Sequence, residues 1–159
     1  MATPLKLRAV DADDLAILGA CLQDALVPIQ DMRFIGEENR FVMVANRFCW
    51  EKLAGAEKAE STAGSYERVH CGITFEHVKK VEAMGFTPGA AADQGRLLQI
   101  LTILAEDDVL TVVFSGGVAV RLNVETVEAF VQDMGEPWPT MWRPHHPGED
   151  ELDQDGGTR

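Results

Sequence analysis

This chain of 159 residues is short of several things, and each shortage narrows what it can be. Basic residues are outnumbered: 14 Lys and Arg stand against 26 Asp and Glu, a formal net charge of −12. A surface of that sign repels phosphate backbones and anionic membranes, so neither nucleic acid nor membrane is expected as a partner. The bases are also scattered. Lys6, Arg33, Arg68, Arg96 and Arg121 fall in different segments, and only Lys79 and Lys80 are adjacent. No run of about twenty apolar residues is present, which argues against a membrane span. Residues 1–8 lack the apolar stretch of a signal peptide. Cysteine is scarce and odd in number. Cys21, Cys49 and Cys71 lie in apolar stretches and read as reduced core residues, consistent with the cytoplasm.

The motifs of common chemistries are missing too. The glycines of "SGGVAV" (115–120) open a strand instead of a helix, so they do not form a phosphate loop. No Gly-x-Ser-x-Gly elbow occurs. Ser65, His70 and Cys71 are close in sequence, but a hydrolytic triad is a matter of geometry that proximity does not supply. Cys49, His70, Cys71 and His77 carry metal-ligand atoms in a poor arrangement. His70 and Cys71 point to opposite faces of a strand, and His77 lies six residues from Cys71, about 20 Å at strand rise. No Cys-x-x-Cys or His-x-x-x-His pair is present. His145 and His146 sit in a polar tail. Glu76 and His77, beside Thr74, could suit acid–base work, but the wet face of a strand is the preferred reading. No cofactor, metal or catalytic residue is therefore assigned.

What remains is ordinary globular material: 46% apolar and 25% charged residues. The length suits one domain over residues 1–144, with residues 145–159 as an acidic disordered tail rich in Gly and Pro. "LKLRAV" (5–10) alternates as a strand with one wet face. Asp11 offers an N-cap for a helix carrying Leu15, Leu18 and Leu22 on one stripe. Residues 26–35 and 40–48 flank "GEEN" as a hairpin, with Pro28 marking an edge. In the second of these strands Phe41, Met43, Ala45 and Arg47 share one face, and Val42, Val44, Asn46 and Phe48 the other. Residues 51–67 read as a long mobile loop. Residues 68–85 form a strand with Val69, Cys71, Ile73 and Phe75 on one face and a bulge or twist near His77. A second loop covers 86–95. "RLLQILTILAE" (96–106) is apolar on both faces, like a central strand. Residues 109–114 and 118–124 make the clearest hairpin, since Gly116 and Gly117 supply the positive φ a tight turn requires. Asn123 then caps a last helix whose stripe is Val127, Phe130, Val131 and Met134, ended by Gly135 and Pro137.

The resulting order, β-α-β-β-β-β-β-β-α, predicts an α+β domain. Its antiparallel sheet of six to seven strands is curled or closed into a small barrel, with two helices. A pleckstrin-homology domain is the nearest specific likeness, although the helix after the first strand departs from that pattern. The strongest cluster of polar and aromatic residues is Asn46, Arg47, Trp50 and Glu51. There Arg47 could pair bidentately with a carboxylate and Trp50 could offer a flat surface. Pinning of the strand end is preferred to a ligand site. Trp138 and Trp142 stand among prolines in "GEPWPTMWRP" (135–144), either folded back over the core or serving as anchors for a partner. The expected arrangement puts Trp50 and Trp138 on one surface, with Arg47 close enough to stack on a ring or to pair with Glu51 or Glu136.

Five segments, "LKLRAVDADDL", "LQDA", "FVMVANRFCWE", "LTVVFSGGVAVRLNVETVEAFVQDMG" and "PWPTMWRP", together resemble a bacterial family of domains of unknown function over about residues 5–144. The resemblance implies a cytosolic bacterial protein and assigns no activity, so no catalytic residue carries over. The resulting expectation is a non-catalytic binding or protein-interaction domain. The competing one is a small-molecule-binding protein or enzyme with a pocket near Arg47 and Trp50.

Overall fold

The computed structural model describes residues 4–50 and 66–140. β1 (Lys6–Ala9) leads into the helix α1 (Ala12–Leu22). The helix start is capped twice over. The Asp11 carboxylate accepts from the Asp14 N–H at 2.8 Å, and the Asp14 carboxylate accepts from the Val10 N–H at 3.0 Å. Leu15, Leu18 and Leu22 bury its apolar stripe, and the helix packs on one later strand so closely that a Cβ on Gly19 would stand 3.4 Å from the Ile103 backbone nitrogen.

Nine strands follow: β2 (Leu26–Pro28), β3 (Met32–Ile35), β4 (Arg40–Phe48), β5 (Tyr66–Phe75), β6 (Val78–Met84), β7 (Leu97–Glu106), β8 (Val109–Phe114), β9 (Val118–Val124) and β10 (Ala129–Thr140). All pairings are antiparallel. The lateral order is β1-β10-β5-β4-β2-β7-β8-β9-β6, and β3 lies on β4 off that path. β1 and β6 end the order and do not pair with one another, so the sheet curls without closing. Of the two expected forms, curled or closed, the sheet takes the curled one, and the expected six or seven strands are ten among the described residues.

Two of the missing strands come from breaks in runs read as single elements. A 3-10 turn at Ile29–Asp31 divides residues 26–35 into β2 and β3. β2 is also not a sheet edge as Pro28 suggested. It lies between β4 and β7, and Pro28 itself pairs only with Leu97. The run 68–85 turns a corner at His77, whose φ of 59° lets β6 leave β5 and pair with β9 instead.

The largest correction is at the end of the chain. The expected last helix at 124–134 is the strand β10, paired with β1 on one side and β5 on the other. Ala129 and Val131 are buried while Phe130 and Met134 are exposed, a period of two. Of the helical stripe only Val127 and Val131 fall on the inward side, while Phe130 and Met134 face out, and the pairing partners decide the outcome. Without β10, β1 would have no neighbour and β5 would have an open edge. Asn123 is no cap; it pairs with Val109 inside the sheet. Gly135, at φ 72°, sits in a break of register between Met134 and Trp138. Beyond it β10 pairs with β5 alone, and an edge tolerates the missing N–H groups of Pro137 and Pro139.

The core lies between α1 and the inner faces of the curled sheet. Met43, Ile73, Phe75, Ile100, Leu110 and Phe114 are fully enclosed there. The face assignments for β4 and β5 hold: Phe41, Met43, Ala45 and Arg47, with Val69, Cys71, Ile73 and Phe75, all point inward and are buried.

Candidate functional site

β4 carries a different environment at each end. At its C-terminal end Arg47 sits on the inner face, 1% exposed. Its Nε and Nη2 each donate to the Asp133 carboxylate of β10 at 2.7 Å. That carboxylate also accepts from the Leu5 N–H at 2.7 Å, and the Asp133 N–H donates to the Leu5 carbonyl at 2.9 Å. β5 runs between the pair, with Cys71 opposite both Ala45 and Asp133. Burial pushes the Cys71 thiol up to about 12, against a partial pull downward from Arg47. Two opposite charges thus satisfy each other inside the barrel, across an inert thiol.

The outer face at the same end is an aromatic and polar cluster. Phe48 packs against Trp50 at 4.6 Å and Tyr66 at 5.8 Å between ring centroids, and the Arg68 guanidinium stands 5.7 Å over its ring. Arg68 donates to the Asn46 side-chain oxygen at 2.7 Å. Burial lowers the Arg68 pKa, opposed by the Asp24 carboxylate. Trp50 donates its indole N–H to the Gln23 carbonyl at 3.0 Å. Trp138, opposite Arg68 in register, packs on His70 at 4.7 Å. Trp50 thus packs on Phe48, and Trp138 stands beside Arg68 in the sheet register. Arg47 points to the other face, and its described partner is Asp133. Glu51 and Trp142 lie outside the described residues. Asp24, buried and at φ 65°, is an unforeseen member of this end; its carboxylate accepts from Gln99 Nε2 at 2.6 Å.

A third group lies around the corner at His77. Glu128 takes Arg8 at 2.6 Å and His77 at 3.1 Å, and Arg40 binds Glu76. The hydrogen bond from Arg8, then that from His77, holds the Glu128 carboxyl below its usual range. Glu76 is thus engaged by Arg40, and His77 is hydrogen-bonded to Glu128. Among the described residues no group of three or more His, Cys, Asp and Glu side chains is placed to hold a metal ion.

The other end of β4 is apolar and open. Among the described residues β3 pairs only with β4, and β6 only with β9. The Val78 N–H at the start of β6 donates to the carbonyl of Asn39, just before β4, at 2.8 Å, and among the described residues no pairing joins β3 to β6. Between them is a cavity of about 330 Å³, walled by Met32, Phe34, Phe41, Val81, Phe86 and Val120. Gln30, Arg33 and Gln94 are the polar groups at its wall. Phe34 stands opposite the buried Phe41, so it belongs to the inner face, yet it is 38% exposed. Sequence reading missed this site. It arises in the fold from the 3-10 break after Pro28, which sets β3 apart from the continuous sheet.

Among the described residues the architecture is that of an α+β domain, one helix against an antiparallel sheet that stops short of closure. The chain belongs to the family of proteins of unknown function DUF2948, whose model matches residues 5–146. No curated protein and no solved structure matches it. No helix among the described residues is long and apolar enough to cross a membrane.

Proposed function

We propose that the protein is a non-catalytic binding domain of the bacterial cytoplasm, and that its ligand site is the seam between β3 and β6. The observation that carries this is Phe34. An aromatic ring on the inner face, facing a buried ring, remains exposed because nothing in the described fold closes over it. Exposed apolar surface inside a concavity with a few polar groups at its wall is the usual make-up of a binding site. A pocket around Arg47 and Trp50 has less support, because the described groups there satisfy one another: Arg47 with Asp133, Asn46 with Arg68, Trp50 with Gln23.

Titration with n-hexanol, followed by methyl NMR, tests the reading. Saturable shifts at Met32, Val81 and Ala83, with Leu104 on the far strand unmoved, are expected. Absence of saturable shifts in the folded protein would remove the proposal.

A further inference from the structure

Three phenylalanines line the seam: Phe41 on β4, Phe34 opposite it on β3, and Phe86 just after β6. Phe41 already packs against Phe75, with 6.4 Å between ring centroids. Phe34 and Phe86 have no ring partner among the described residues, and Phe34 is 38% exposed. The Met32 thioether lies at the same wall. Rings and a thioether pair favourably with a further aromatic ring, beyond the area they bury.

The polar groups of the wall are mostly neutral and are gathered at one place. Gln30 belongs to the 3-10 turn after β2, and Gln94 follows the 3-10 turn Ala91–Asp93. The Ile29 N–H donates to the Arg96 carbonyl at 3.0 Å, which holds these two stretches side by side. Both side-chain amides line the cavity, and neither bonds to another described residue. An amide carries a donor and an acceptor, and so matches a ligand edge that carries both. Arg33 is the one charged residue at the wall. It lies opposite Val42, on the other side of β3 from Phe34, with Asp31 and Glu37 close in sequence. An ionised ligand would therefore lose its hydration with no inward charge to answer it. Size completes the picture. Roughly 150 Å³ holds one benzene ring, so about 330 Å³ suits two fused rings. We infer that the cavity binds a neutral, fused two-ring aromatic compound with a cyclic amide edge, its rings against Phe34, Phe41 and Phe86 and its amide against Gln30 and Gln94. This rests on the seam being the binding site.

The test titrates the full chain with 2-quinolone, a neutral two-ring lactam, and follows it by methyl NMR. The controls are its ring-saturated analogue octahydro-2-quinolone, quinoline-2-carboxylate and n-hexanol. 2-Quinolone should shift the Met32, Val81 and Ala83 methyls. It should bind roughly tenfold tighter than the saturated lactam, the worth of one or two ring contacts. Phe34→Leu, at an exposed ring, should erase that preference while hexanol still binds. Gln30→Leu combined with Gln94→Leu, both at exposed positions, should weaken the two lactams several-fold. The carboxylate should bind more weakly than 2-quinolone. If hexanol binds but the aromatic lactam has no advantage over the saturated one, the aromatic inference is wrong and the seam remains a site for a small apolar ligand. If the glutamine changes leave both lactams unmoved, or the carboxylate binds tighter than 2-quinolone, the neutral amide edge is wrong. If hexanol fails as well, the underlying reading falls, which is also the outcome if a stretch of this chain outside the described residues fills the seam.

Discussion

The two ends of β4 solve the same problem in opposite ways. Both lie on the inner face of a curled sheet, and both are contacted by chain from distant parts of the sequence. At the Arg47 end a charge is buried and every described contact answers it: Asp133 takes both guanidinium nitrogens, and Leu5 takes the carboxylate in turn. At the Phe41 end the residues are apolar, and the strands that would cover them, β3 and β6, are not paired with each other among the described residues. A buried ion pair demands closure, because an unanswered charge in a core costs several kcal/mol. Apolar surface makes no such absolute demand, so a seam can remain open at moderate cost. The polar end is thus built for closure, and the apolar end is where the fold can leave room for something else.

The sharpest way to break this contrast is to strand the charge. Asp133→Ala should cost about 3–5 kcal/mol in urea unfolding, because Arg47 remains buried without its described carboxylate. The double change Arg47→Met with Asp133→Leu should recover most of that loss. If the single change costs under about 1 kcal/mol, the end is not sealed in the way described.

A paired comparison of two rings comes next. Phe41→Ala should destabilise by about 3–5 kcal/mol as a core truncation. Phe34→Ala, on the residue directly opposite and 38% exposed, should cost under about 1.5 kcal/mol. Equal losses would mean that the seam is closed in solution.

The thiol between the charges gives a pH test of the sealed end. The folded Cys71 titrates near 12 against 9.0 for an ordinary thiol, mainly because burial disfavours the thiolate. The unfolded chain therefore ionises first. This contribution to stability is complete below about pH 9 and is lost as pH rises towards 12. Unfolding followed across that window should show a fall in stability that is shallower in Cys71→Ala. The same slope in both proteins would refute the assignment.

The smallest expected effect is at the exposed corner. Glu128 is held below its usual range by Arg8 and His77, so its contribution is present above the unfolded carboxyl range and lost as pH falls through the folded value. Glu128→Gln should flatten the acid limb of the stability profile slightly and leave the neutral value nearly unchanged, since exposed ion pairs contribute little. A large loss at neutral pH would show that the corner carries more of the fold than its exposure suggests.

Much of the fold was legible where the signal was local. The Asp11 cap, the α1 stripe, the faces of β4 and the turn at Gly116–Gly117 are each decided by residues a few positions apart, and each was read correctly. β10 was not legible, because its apolar spacing suits a helix and a strand alike. Only its neighbours β1 and β5, distant in sequence, select the strand. The candidate residues divide along the same line. Asn46 and Trp50 could be singled out from one short stretch, and so could Arg47. That Arg47 faces inward follows from alternation, but that its carboxylate is Asp133 depends on where β10 lies. The seam was invisible for a related reason: an open edge is defined by a strand that does not pair, and no residue announces that.

The reach of the Asp133 contacts has a consequence for how the chain comes to be folded. Leu5 and Asp133 are 128 positions apart, and Arg47 and Asp133 are 86 apart. During synthesis the helix and the β4–β5 pairing can form early, but the inner charge has no described carboxylate until residue 133 has been made. Contacts of such separation form late and slow the overall reaction. The contacts that seal the Arg47 end are thus among the last the chain can make, and they form only when β10 arrives.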